Sequence, residues 1–163
     1  MKQVVVVGTG IMAVGIAAGF LATNHQVILL GRTQSRAKEQ EVEILALTKT
    51  INPDWEASGA KLVTGEIASW ADWSEVIWVI ETIKEDMQLK QELFASLDQR
   101  VPEHIPIGSN SSGFPISKIS AGLKTAHRMF NAHYFMPAHI VPLVEVVLGE
   151  KSDPVMGAQV CQL

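Results

Sequence analysis

A doubly wound α/β domain is the fold that this sequence predicts, and three observations carry that expectation. A valine run from Val4 to Val7 ends at a glycine. Short apolar runs recur at Val27–Leu30, Val76–Ile80, Ile105–Gly108, Arg128–Ala132 and Leu143–Leu148. The stretches between them show helical spacing, most clearly at Leu89, Leu93, Phe94 and Leu97. At 163 residues, with 47% hydrophobic and 18% charged residues, the chain suffices for one domain over residues 1–163 with its own core. No Pro/Ser/Gly-rich or charge-dense run marks a linker or a disordered tail.

In chain order, Val4 to Val7 has the continuous β-branched pattern of a strand buried on both faces of a parallel sheet. Gly8-Thr9-Gly10-Ile11-Met12-Ala13 follows at once. In a G-x-G-x-x-G/A turn the first glycine permits the sharp bend and the second lets the backbone approach a pyrophosphate. The third small residue lets helix and strand pack closely. A helix starting at Ile11 then offers free N–H groups and its positive dipole end to phosphate. A glycine turn without a ligand is the alternative, and the second strand at Val27–Leu30, one helix away, weighs against it. The reading is therefore a Rossmann-type βαβ unit for a nicotinamide dinucleotide. Gly15 and Gly19 continue a small-residue face expected to lie against the sheet. Lys2 and the apolar residues after it could be mistaken for a signal peptide. Gly8 and Gly10 divide that stretch, and neither part approaches the ~20 apolar residues of a membrane span.

The end of the second strand ordinarily carries an acid that binds the adenosine ribose. Here it carries Gly31, followed by Arg32, Thr33, Ser35 and Arg36. Two guanidinium groups and two hydroxyls where a 2′-phosphate would lie lead to an expected preference for NADP over NAD. The alternative has Arg32 stacking on the adenine of a permissive NAD site.

Further along, the sequence predicts a mostly polar helix at Glu39–Thr48, a weak strand at Lys61–Thr64 and a helix over Met87–Leu97. Ser109-Asn110-Ser111-Ser112-Gly113 reads as a polar loop, and Pro115 as the first turn of a short helix. Asp153 and Pro154 open a last helix through Val155, Met156 and Val160. Trp55, Trp70, Trp73 and Trp78 lie on different elements without common spacing, so packing is preferred over a stacking platform. His25, His104, His127 and His139 read as loop or surface residues. A net charge of −4 with no Lys/Arg cluster argues against nucleic acid or an anionic membrane as partner. Cys161 is the one cysteine, which excludes an internal disulfide and gives no cysteine-based metal site. A cytoplasmic protein fits this best.

Several segments together resemble one family, the L-3-hydroxyacyl-CoA dehydrogenases with short-chain relatives such as carnitine and gulonate dehydrogenases. The likeness rests on Gly8 to Ala17, on Val79-Ile80-Glu81 with Glu85 and Lys90, and on Ser109 to Ser112. It rests also on His133-Tyr134-Phe135-Met136-Pro137 with Pro142 to Val147. The resemblance implies that His133 is the general base, taking the substrate hydroxyl proton while hydride passes to the nicotinamide, and that Glu145 holds and polarises its imidazole. An imidazole, with an ordinary pKa near ~6.5, can accept and return a proton at neutral pH. It implies too that Ser112 hydrogen-bonds the reacting oxygen, and that Glu85 and Lys90 line the cofactor cleft. Outside this pattern, His133 and Glu145 would read as an unrelated loop residue and a solvated strand residue.

Three departures from the family are visible. Met136 stands where the family has an asparagine near the nicotinamide amide. The region from Arg32 to Val76 is shorter than in the acyl-CoA enzymes, where it includes helices that touch coenzyme A. The family's helical C-terminal domain, which completes the pocket, forms the dimer and supplies a catalytic asparagine, does not follow Leu163. The chain is therefore expected to be the N-terminal domain of a longer ancestor. The expected function is a 3-hydroxyacyl-CoA dehydrogenase-like oxidoreductase domain using NAD(P), its substrate an acyl-CoA or a small hydroxy acid, with a homodimer expected only of a full-length form. The alternatives are a hydroxy-acid or carnitine dehydrogenase relative, and a dinucleotide-binding module without turnover.

Overall fold

The computed structural model describes residues 1–163. Its strands are β1 (Gln3–Val7), β2 (Gln26–Gly31), β3 (Leu62–Glu66), β4 (Val76–Glu81), β5 (Ile107–Ser109), β6 (Met129–Tyr134) and β7 (Val144–Leu148). Its helices are α1 (Ile11–Ala22), α2 (Gln34–Lys38), α3 (Glu41–Ile51), α4 (Met87–Arg100), α5 (Ile116–Ile119) and α6 (Pro154–Val160). The strands form one sheet in the order β3-β2-β1-β4-β5-β6-β7. From β1 the chain first builds outward through β2 and β3, then returns to add β4 on the other side. The carboxyl ends of β1 and β4 thus flank the switch point where open α/β sheets bind ligands.

All neighbours are parallel except β7, which runs antiparallel to β6. The β6–β7 connection spans only residues 135–143, short of the dozen or so that a parallel crossover requires, so the chain folds back along the edge. This edge is the one departure from an all-parallel sheet.

Alternation along each strand divides the core. Val4 and Val6 of β1 pack on the face covered by α1, α3 and α6, where Ile44 and Val160 join them. Val5 and Val7 pack on the face of α4 and α5, with Phe94, Leu97, Ile116 and Ile119. Helices on both faces make the sheet doubly wound, as the sequence predicts. The four tryptophans serve packing: Trp78 and Trp73 are buried, Trp55 packs on the first cluster and Trp70 on the second.

Two local expectations are corrected. The predicted helix at Glu39–Thr48 is α3, shifted to Glu41–Ile51, and a short helix that the sequence did not predict, α2, precedes it, started by the Thr33 hydroxyl accepting from the Arg36 amide. The chain then turns at Glu39–Gln40 so that α3 can bury Ile44 and Thr48. Gly15 and Gly19 do not share a sheet-facing role. A Cβ at Gly15 would lie 3.1 Å from Ala138 Cβ and 3.3 Å from the His139 amide, in the β6–β7 connection, while one at Gly19 would meet nothing within 4 Å.

Candidate functional site

The glycine turn between β1 and α1 has the geometry its residue types call for. Gly8 has φ +130°, and a side chain there would collide with the Thr82 hydroxyl at the end of β4. A Cβ at Gly10 would meet nothing within 4 Å, so an open cradle lies over the start of α1. No side chain caps that helix. The first-turn N–H groups of Ile11, Met12 and Ala13 therefore lack intrahelical acceptors and are available to an anion. Ala13 itself is fully buried, as the close helix–sheet approach demands. A cleft of about 660 Å³ opens here, walled by Gly8 to Met12, by Gly31 and Arg32 and by Thr82 to Lys84. Its donors fit the phosphates of a dinucleotide on α1, with the adenosine end toward β2.

At that adenosine end, a Cβ on Gly31 would lie 2.8 Å from the Thr33 carbonyl oxygen and 3.1 Å from the Ala37 amide. An acidic side chain at 31 does not fit unless α2 moves. Arg32 lines the cleft and, like Arg36, is exposed with no carboxylate partner. The Thr33 hydroxyl is engaged in capping α2.

Farther along the same edge of the sheet, three residues from three elements meet. The antiparallel register sets His133 of β6 opposite Glu145 of β7. His133 Nδ1 lies 3.1 Å from Glu145 Oε2, and its Nε2 lies 3.1 Å from Ser112 Oγ on the loop after β5. A proton on Nδ1 facing the carboxylate leaves Nε2 as an acceptor. The imidazole is one-quarter exposed and Glu145 about half exposed, at 25% and 54%. The structure thus brings Ser112, His133 and Glu145 into one hydrogen-bonded row.

Lys90 is corrected: it does not line the cleft but lies 1% exposed beneath it. Its ammonium donates to Glu81 Oε1 at 2.6 Å and to the Ile83 carbonyl at 3.3 Å, and lies 3.3 Å from Glu85 Oε2. Glu85 stands at the rim, 44% exposed, where it accepts hydrogen bonds from the Ser111 hydroxyl and the Gly113 amide. Glu81, fully buried at the end of β4, enters the family resemblance, but sequence reasoning gave it no role of its own. Its Oε1 also accepts from the Ile83 amide, and its Oε2 accepts from Ser109 Oγ at 2.6 Å. The available signal was Lys90 itself, which shares one helical stripe with Phe94 and Leu97; a charge on an apolar stripe requires a buried partner. Burial pushes the Glu81 carboxyl above the ordinary carboxylate range, against the pull of Lys90, Ser109 and the Ile83 amide. Partial burial also pushes Glu85 up, but the Ser111 and Gly113 hydrogen bonds and Lys90 together hold it below that range.

The chain thus has a Rossmann-type cleft at the switch point and a hydrogen-bonded His at the same strand ends. The comparisons give its family. The family described as "3-hydroxyacyl-CoA dehydrogenase, NAD binding domain" matches residues 3–163, and the chain belongs to it. The chain is 32% identical over 162 residues to a glyoxysomal fatty acid beta-oxidation multifunctional protein of Brassica napus, covering 90% of this chain and 21% of that protein. It is 31% identical over 158 residues to the mitochondrial hydroxyacyl-coenzyme A dehydrogenase of Rattus norvegicus, covering 90% and 50%. The crystal structure of (S)-3-hydroxybutyryl-CoA dehydrogenase from Ralstonia eutropha superposes with a TM-score of 0.86 at 25% identity, covering 98% of this chain and 58% of that one. The chain spans half or less of the length of these two curated relatives.

Proposed function

We propose that this domain binds NAD(P), with NADP preferred, and works in the oxidation of a secondary alcohol of the 3-hydroxyacyl type. The observation that carries the catalytic part is the Ser112–His133–Glu145 row on the edge of the sheet that also holds the cleft. When bound, the nicotinamide supplies the hydride acceptor or donor. Ser112 Oγ donates to the reacting oxygen and orients it. His133 Nε2 takes the hydroxyl proton, and Glu145 holds the Nδ1–H and stabilises the imidazolium. Buried Glu81 and Lys90 keep the strand ends in place beneath the site. The names of the relatives support a hydroxyacyl thioester as substrate, with a free hydroxy acid as the narrower alternative. A binding-only reading draws on the exposure of Glu145 and Ser112, which leaves the row open to water on one side.

Crowding at Gly31 and the unpaired guanidinium groups of Arg32 and Arg36 support NADP. Titration of NADPH and NADH into Arg32→Ala tests this. NADPH should weaken by roughly tenfold or more, the value of one charge-assisted hydrogen bond, and NADH should not; equal losses would leave Arg32 a stacking role only. For turnover, steady-state assays with 3-hydroxybutyryl-CoA and 3-hydroxybutyrate should show a loss of about 100-fold or more in His133→Gln. Turnover that does not depend on His133 would reject the mechanism. Tight cofactor binding with no turnover would favour the binding module.

A further inference from the structure

We propose that Asn110 is a positioning residue, whose side chain sets the Ser112–His133 contact by tying the Ser112 loop to the end of β6. The inference rests on the roles given above to Ser112 and His133.

The loop from Ser109 to Phe114 is fastened almost everywhere. Ser109 Oγ donates to buried Glu81 at 2.6 Å, and the Asn110 amide donates to the Glu81 carbonyl at 2.9 Å. The Ser111 hydroxyl and the Gly113 amide donate to one oxygen of Glu85, on either side of Ser112. The Phe114 amide donates to Ser111 Oγ at 2.9 Å, and its carbonyl accepts from Asn131 Nδ2 at 3.0 Å. The Ser112 hydroxyl turns out of this web, toward His133.

Most of those ties run to Glu81 and Glu85, at and just beyond the end of β4, or close within the loop, and Asn131 belongs to the middle of β6. None of them fixes the loop against the end of β6, where His133 sits. Backbone pairing between β5 and β6 ends at Ser109 and Asn131, so His133 and Tyr134 lie beyond it. One contact bridges that gap: Asn110 Oδ1 accepts from the Tyr134 amide at 2.8 Å. Asn110 is two residues before Ser112, and Tyr134 is one after His133. The side chain therefore closes a small ring whose other closure is the Ser112–His133 bond. Without it the Ser112 loop keeps its anchors on β4, but its distance to His133 is no longer held. Proton transfer is sensitive to such displacements, because a misplacement of about 1 Å can cost roughly 100-fold in rate.

The experiment follows the His133 ring nitrogens by 15N NMR in the 163-residue chain, with or without turnover. Ser112→Ala should displace the Nε2 resonance and so mark loss of the contact. Asn110→Ala should displace it in the same direction. Asn110→Asp, which keeps an oxygen for the Tyr134 amide, should hold it near the wild-type position. Where turnover is measurable, Asn110→Ala should lower kcat by roughly 10- to 100-fold at unchanged cofactor KM, and should add no further loss in the Ser112→Ala background. An unmoved Nε2 resonance in Asn110→Ala, or an Asn110→Asp variant displaced as far as Asn110→Ala, would overturn the proposal. Turnover that is independent of His133 would instead overturn the catalytic reading, and the NMR comparison would still decide whether Asn110 sets the contact.

Discussion

Two cations are buried in this domain, one near each end of the sheet, and they are satisfied in opposite ways. Arg128, fully buried just before β6, donates to the carbonyls of Asp98, Val101, Pro102 and Ile105 at 2.6–3.3 Å and to Thr125 Oγ1 at 2.7 Å. These carbonyls belong to the end of α4 and the turn after it, where the helix dipole favours a positive charge. Lys90, by contrast, is held at the ligand end by two carboxylates whose other contacts are the Ile83 amide and hydroxyls and an amide of the Ser112 loop. Carbonyl dipoles cannot titrate, whereas carboxylates can. The amino end thus fastens α4 to β6 mainly through carbonyls, and the carboxyl end couples a buried charge to the site. Perturbed carboxylates cluster at working sites for this reason.

The sharpest test of the amino end is Arg128→Met. Removing the guanidinium leaves several buried carbonyls without partners, so unfolding stability should fall by about 3–5 kcal/mol, read from urea denaturation. Cofactor affinity of the folded fraction should stay unchanged. A loss below about 1 kcal/mol would show that Arg128 is not a fastener.

Lys90→Met should cost less, about 3 kcal/mol at neutral pH, because burial already raises the Glu81 carboxyl and the orphaned group can take a proton. The sign follows from that raised value. A group that binds its proton more tightly in the folded state favours folding at low pH, and that contribution is lost as pH rises through its folded pKa. The Lys90→Met defect should therefore deepen with rising pH and shrink toward acid. Adding Glu81→Gln should remove most of the pH dependence. A defect that does not change with pH would mean that Glu81 is not the orphaned partner.

The contrast between the ends also marks what the sequence could disclose. The Gly8–Ala13 turn was legible because each residue type serves one local need, and strand and helix periods on either side agree with it. The ends of the sheet were not. Arg128 reads as the first residue of a strand, since its carbonyl partners belong to backbone segments brought close only by the fold. Glu81 reads as a polar strand end, since its pairing with Lys90 and Ser109 depends on β4 lying beside β5. His133 and Glu145 were legible through family resemblance alone. Their contact comes from an antiparallel register set by the β6–β7 connection, which carries no periodic signal.

Acid should weaken both ends through other groups. Partial burial raises Asp98, but hydrogen bonds from Thr125 and Lys124 and the nearby Arg128 outweigh it and hold Asp98 below the ordinary carboxylate range. Glu85 is lowered in the same way at the ligand end. Such groups contribute stability above their unfolded pKa and lose it as pH falls through the folded one. Between about pH 5 and pH 2, Asp98→Asn should therefore show a shallower fall in urea midpoint than wild type, with the His133 resonances unmoved. An equally steep fall would remove Asp98 from the account.

The smallest expected effect compares two glycines on one helix. At Gly15 an added methyl meets Ala138 and the His139 amide at 3.1 and 3.3 Å, tighter than ordinary contact, so the β6–β7 connection must shift. Gly15→Ala should cost about 1 kcal/mol from overpacking and disturb the His133–Glu145 hydrogen bond, because that connection sets the register of both. At Gly19 the methyl meets nothing, and an alanine in a helix interior should stabilise by roughly 0.5–1 kcal/mol by restricting the unfolded chain. The two variants make the same chemical change four residues apart, so their difference of about 1.5–2 kcal/mol isolates what the connection contributes. If both stabilise, α1 is not what seats the β6–β7 connection, and the placing of His133 against Glu145 must come from the strand pairing alone.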